Sequence, residues 1–341
     1  MKTQFVRPSV LLPVLLMVAL ALVPTLAGAI GAQFYIGFLA RILVYALAAS
    51  ALNLALGYGG LIGFGHALFV GLGAYCVSLP SFFGLENGWL QLLLVLGACG
   101  LIGLLTGAIC LRTRGIGFIM ITLAFSQMGY FVFVSLKQFG GDDGMSIIAT
   151  SRLGAGIDLG SAVPLYYTAW IILALVIVWM TRLRNAPFGM ALRAARQNQA
   201  RVNALGFPAR RFQLIAYTIS AMLCGVAGFL LANLNAYASP GLMSWQVSGE
   251  LIVMVVLGGM GSVFGPLLGA LAFIGLEELM KSYTEHWMLI FGPIIVLVAL
   301  SGKDGLMGAL LNLDRRLAGG GPSKIQGAGR AAAAPAHGAK Q

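Results

Sequence analysis

Apolar stretches of about twenty residues, nearly free of charge, recur along almost the whole chain: at 10–30, 35–56, 61–80, 90–111, 116–136, 162–181, 212–236, 247–259, 262–279 and 287–302. No other feature limits the fold so strictly. A helix that crosses the hydrocarbon of a bilayer needs roughly 20 apolar residues, whereas a transmembrane barrel shows short alternating segments. The expected class is all-α, a polytopic membrane helix bundle of about ten spans, with eight as the lower bound. Composition agrees: 59% of the residues are hydrophobic and 9% charged, against about 45–50% and about 25% in soluble domains.

Two places leave alternatives. The stretch 247–279 is interrupted by Gly258-Gly259-Met260-Gly261-Ser262, with Pro266 soon after. Glycine clusters of this kind signal turns, so two short or tilted helices are expected, with one span plus a re-entrant piece as the rival. At the N-terminus, Lys2 and Arg7, an apolar run and Ala27-Gly28-Ala29 resemble a secretory leader. The run from Val10 to Leu26 is longer than the usual core of such leaders, about 7–15 residues, and a retained first helix is expected.

Charge orients the bundle. The net charge is +11, but the bases lie in breaks between apolar runs and no nucleic-acid motif accompanies them, so no nucleic-acid partner is expected. Positive residues collect on the cytoplasmic side of membrane proteins. Ten spans starting inside place Lys2 and Arg7, the Arg112–Arg114 turn, residues 182–211 and the C-terminal tail on one face. Glu86, the 137–161 loop and an acidic 277–285 loop then fall on the other. The chain thus divides into a cytoplasmic segment 1–9, a transmembrane core 10–302 and a cytoplasmic tail 303–341. From about residue 319 that tail is Gly/Ala/Pro-rich and expected to be disordered.

Residues 182–211 hold seven arginines (Arg182, Arg184, Arg193, Arg196, Arg201, Arg210, Arg211) and no acid. Asn185 can cap a helix, Pro187 suits a first turn, and Gly206 followed by Pro208 marks an end. Leu192, Ala195, Val202 and Leu205 then fall near one face, with Arg193, Arg196 and Arg201 elsewhere. Fixing topology and touching anionic lipid would account for charge alone. A capped helix with an apolar face suits docking into a groove on a cytoplasmic partner better.

Here the sequence resembles a known family. Arg193-Ala-Ala-Arg-Gln-Asn-Gln-Ala-Arg-Val-Asn-Ala-Leu-Gly206 resembles the coupling loop of ABC-importer permeases, in the form found in the branched-chain amino acid family. Ala46 to Gly60, Gly63 to Tyr75, Leu111-Arg-Thr-Arg-Gly115 and Val256 to Ser262, continuing to Gly265-Pro266 and Gly269-Ala270, match further blocks in order. The likeness runs over about 36–302, most closely to LivM-type subunits. Gln197, Asn198 and Gln199 stand where the family usually carries acids, and Leu61-Ile62-Gly63 and Gly140-Gly-Asp-Asp-Gly144 also depart from its pattern.

The resemblance implies a permease that is not itself an enzyme and binds no cofactor. Its partners would be a homologous LivH-type permease, two cytoplasmic ABC ATPases that hold the ATP, a periplasmic binding protein and the lipid bilayer of the inner membrane. Arg193, Arg196, Arg201, Leu205 and Gly206 would couple to the ATPase. The chain's own residues agree in one respect: no Walker A pattern occurs in it. Branched-chain amino acids are the implied cargo, with urea, amides or other small organic solutes as alternatives.

Polar residues in lipid-embedded segments usually face the bundle interior or a cavity, and Arg41, Asn53, His66, Gln127 and Glu250 are the candidate path residues. Asn53 and Gln127 serve equally well as interhelical hydrogen-bond donors, and His66 as a partner for a nearby carbonyl. Gly57, Gly60, Gly71, Gly258, Gly259 and Gly261 are the candidate packing and gating glycines. An ion-coupled carrier would need buried coupling acids, and only Glu250 qualifies. Cys76, Cys99, Cys110 and Cys224 read as small hydrophobes, and His66, His286 and His337 are too scattered for a metal site.

Overall fold

A computed structural model of the chain describes residues 8–30, 33–147, 149–154, 158–283, 286, 289, 292, 293, 296, 305–308, 310 and 311. The long helices are α1 (Pro8–Ile30), α2 (Gln33–Asn53, continued by a π turn, Leu54–Tyr58), α3 (His66–Phe82), α4 (Gly88–Cys110), α5 (Ile116–Ser135) and α6 (Ala162–Asn185). Two short helices follow, α7 (Pro187–Gln197) and α8 (Gln199–Ala204), then α9 (Ala209–Asn235), α10 (Trp245–Gly258) and α11 (Gly265–Tyr283). The two-residue strands β1 (Met145–Ser146) and β2 (Tyr237–Ala238) pair antiparallel. Among the described residues, five helices are long and apolar enough to cross a membrane: α2 with its π turn, α4, α5, α6 and α9.

The expected span boundaries shift where the backbone breaks. α3 starts at His66, not at 61, because Gly59–Gly65 is non-helical and Gly60 has φ +69°. The 247–279 stretch is two helices, α10 and α11, packed on each other around a turn in which Gly259 and Gly261 have φ of +111° and +79°. At 14 residues, α10 is about 21 Å long, short of a hydrocarbon core of about 30 Å. The acidic 277–285 loop is corrected as well: Glu277, Glu278 and Lys281 lie within α11.

α9 is the axis of the bundle, packed against α2, α3 and α4. Glycines set these approaches. A methyl on Gly73 would lie 2.8 Å from the Gly225 carbonyl carbon, and one on Gly103 2.7 Å from Cβ of Ala221. Tyr75, Tyr217, Phe69 and Phe229 fill the centre. α1 lies against α6, whose Tyr166 and Trp170 donate to the carbonyls of Leu20 (2.6 Å) and Met17 (3.0 Å).

Two opposite faces result. One is built by the 136–161 loop: Ser151 N–H bonds to Asn233 Oδ1 at 2.9 Å, Arg152 bonds with Gly88 and pairs with Glu86 at 3.2 Å, and β1 joins β2. The other collects the π turn, the Leu111–Gly115 turn, α7, α8 and the α10–α11 turn, and carries the arginines of 182–211. Gly305 also lies there, where a methyl would be 2.6 Å from Gly259 N. Tyr283 ends α11, which runs for 19 residues from Gly265 at the α10–α11 turn. The tail beyond residue 311, and most of 287–302, lie outside the described residues.

Candidate functional site: the arginine face and the bundle interior

The expected single coupling helix is two. Ala186 is the N-cap residue of α7, with Pro187 in the first turn, so Asn185 ends α6 without capping α7. At Asn198 the backbone turns extended (φ −155°, ψ 100°), and its side chain caps α8 by accepting from Arg201 N–H at 3.0 Å. Asn203 accepts from Ala209 N–H at 3.1 Å and starts α9. This break changes which residues share a face. Leu192, Ala195 and Val202 are buried, but Leu205 is 70% exposed, and its neighbour Phe207 is 52% exposed. Gly206, at φ +84°, permits the reversal between them.

The arginines divide by role. Arg193 donates to the carbonyl of Arg184 at 2.7 Å and to that of Gly189 at 3.4 Å, closing the α6–α7 corner. Arg210 donates to Leu111 O at 3.1 Å. Arg196, itself exposed, reaches along the surface and donates to the carbonyl of Gly57. Arg201 stays on the exposed side of α8. Of the five expected coupling residues, Arg201, Leu205 and Gly206 form the tip, whereas Arg193 and Arg196 are engaged by the chain itself.

Asn53 closes a second link at the same level. Its Nδ2 donates to Ser262 O at 2.7 Å and its Oδ1 accepts from Gly261 N–H at 2.9 Å. One amide thus fastens the end of α2 to the α10–α11 turn. Beside it opens a cleft of about 280 Å³ lined by Gly60, Leu61, Arg114, Phe118, Arg196 and Gln213, among others.

Deeper in the bundle, hydroxyls satisfy the irregular backbone before α3. Phe64 N–H donates to Thr122 Oγ1 at 3.1 Å, Ser248 Oγ donates to Phe64 O at 2.8 Å, and Ala67 N–H donates to Ser248 Oγ at 3.0 Å. His66 Nε2 lies 3.0 Å from Ser220 Oγ, which donates to Ala51 O at 2.6 Å. That assigns the proton to Nε2 and leaves Nδ1 without a partner. Ser126 donates to Met243 O at 2.7 Å, and Met243 fills the notch left by Gly71. Ser220, Ser248 and Met243 escaped sequence reasoning, because single serines and a methionine in apolar runs carry no spacing signal.

The remaining path candidates are apart from this column or only adjoin it. Gln127 is half-buried on α5, next to Ser126. Arg41 is 39% exposed on α2, above the Tyr45 ring at 5.7 Å and 4.0 Å from Glu277, which itself pairs with Lys281 at 2.5 Å. Glu250, half-buried on α10, interacts electrostatically with Glu277, Arg41 and Lys281. Among the described residues no group of His, Cys, Asp and Glu could hold a metal ion.

A polytopic helix bundle with two broken helices, an interior hydroxyl column and an arginine-rich face is the framework of a membrane permease. The chain belongs to the family described as "Branched-chain amino acid transport system / permease component", whose profile matches residues 34–299. It is 30% identical over 289 residues to the high-affinity branched-chain amino acid transport permease protein LivM of Escherichia coli K12, covering 78% of this chain and 68% of that protein. A probable LivM of Methanocaldococcus jannaschii is 25% identical, with 77% and 90% covered. LivH of E. coli K12 is 24% identical, with 77% and 91% covered. No solved structure matches the chain. The family is a membrane transport component and not an enzyme.

Proposed function

We propose that the chain is the LivM-type half of an ATP-driven importer for branched-chain amino acids, paired with a LivH-type permease in a bacterial inner membrane. The arginine face is cytoplasmic and docks an ABC ATPase. The opposite face, built on the 136–161 loop, receives cargo from a periplasmic binding protein. One observation carries this assignment: a tip of Arg201, Leu205 and Phe207, held out on a face that is otherwise basic and hydrogen-bonded. Burying an exposed leucine side chain in a partner's groove contributes about 1.5–3 kcal/mol. The arginines beside it attract an acidic groove and set its orientation.

The test is reconstitution of the chain with its paired permease, the ATPases and the binding protein in liposomes. ATP-dependent uptake of labelled leucine, isoleucine or valine is expected. Uptake of urea or amides alone would reassign the cargo. Leu205→Asp should cut ATPase co-purification by about ten- to a hundred-fold while the bundle still inserts. Nucleotide-independent uptake by the chain alone would refute the assignment.

A further inference from the structure

The end of α2 is unusual in its hydrogen bonding. In a regular helix Gly57 O would accept from Leu61 N–H, but the π turn redirects that donor to Ala55 O at 3.0 Å, and Gly59 N–H to Leu54 O at 3.2 Å. An orphaned carbonyl at a helix C-terminus carries partial negative charge. The Arg196 guanidinium of α7 meets it in a charge-assisted bond, of the stronger kind. Gly60 lets α7 come this close, since a methyl there would lie 2.7 Å from Arg196 Cγ. The α10–α11 turn sits against the same point: a methyl on Gly261 would be 3.3 Å from Gly57 O and 3.7 Å from Arg196 Nη1. One turn earlier on α2, Asn53 holds that turn at both Gly261 and Ser262.

We infer that Arg196, the Gly57 carbonyl and Asn53 form a latch that carries displacement of α7 to the α10–α11 turn. This inference rests on the docking role proposed for the arginine face. α7 is clamped to α6 by Arg193 and ends at the hinge residue Asn198. A push on the α8 tip therefore crosses the Asn198 break, where α7 and α8 pack on each other, and reaches Arg196 two residues before it. The receiving element is the short helix α10, whose Ser248 holds the irregular backbone before α3. Arg196 and Asn53 are positioning residues: movement of α7 pulls the π turn, the amide transmits it to Gly261–Ser262, and α10 shifts against Phe64 and Ala67. Arg196 thus acts through its bond to the Gly57 carbonyl.

Two measurements on the full chain test the latch. In the reconstituted complex, Asn53→Ala and Arg196→Ala should each lower amino acid moved per ATP hydrolysed by about tenfold, with the ATPase still bound. The double variant should do no worse than the poorer single one, as coupled residues require, and Arg196→Lys should recover most of the ratio. A wild-type ratio in either single variant, or effects that multiply in the double one, would overturn the latch. In the chain alone in detergent, hydrogen exchange of the 259–264 amides should quicken about tenfold in Arg196→Ala and in Gly60→Ala, which displaces Arg196 without removing it. Unchanged exchange at that turn would overturn it too. Failure of wild-type chain to bind an ATPase would instead sink the proposed function, and the exchange result would still decide the latch.

Discussion

Replacing Gly73 by alanine tests whether backbone contact sets the packing of α3 on α9. The added methyl would stand 2.8 Å from the carbonyl carbon and 2.9 Å from the Cα of Gly225, whereas carbon atoms rest at about 3.5–4.0 Å. Both obstacles are main chain, so no rotamer change relieves them. The helices must part by roughly 1 Å, which loosens the nearby contact of Gly228 with Val70. Overpacking of this kind costs about 1–3 kcal/mol, a factor of about 5 to 150 in the unfolding equilibrium. Gly97→Ala on α4 is the control, because a methyl there meets nothing within 4 Å. Unfolding in mixed detergent, followed by far-UV circular dichroism, should show the loss for Gly73→Ala only. Equal midpoints for the two variants would refute the claim that glycine contacts between α3 and α9 hold the bundle centre, since lipid supplies no competing hydrophobic force between helices.

Other outcomes follow from the same geometry. A cysteine in place of Met243 should resist a membrane-impermeant thiol reagent while Gly71 is present and react once Gly71→Ala displaces the Pro240–Met243 segment, because the new methyl would lie 3.3 Å from Met243 N. On the face opposite α7 and α8, Asp158 titrates below the usual carboxylate range, first because Gly160 N–H bonds to it and then because the Thr150 hydroxyl does. Its contribution to loop order is complete above the unfolded carboxylate value of about pH 4 and is lost as pH falls through the lower folded value. Exchange of the Gly160 amide should therefore quicken, relative to the intrinsic rate, only in acid, and Asp158→Asn should remove that dependence.

Apolar runs made the all-α membrane class legible, because lipid demands about twenty apolar residues per crossing, and motif blocks in order along the chain made the family legible. These are one-dimensional requirements, readable without partners. The split of the coupling element at Asn198 was not readable this way. Helical spacing grouped Leu205 with Leu192, Ala195 and Val202, yet an Asn side chain that could cap from within ended one helix and began another. The partner of Arg196 was equally hidden, since it is a carbonyl 139 residues away that a π turn leaves open. Asn53, His66 and the glycine clusters stood out from the sequence as polar or small residues in apolar surroundings. Only the tertiary structure showed that Asn53 meets Gly261 and His66 meets Ser220, because which buried donor finds which acceptor is settled by helices brought together from distant parts of the chain.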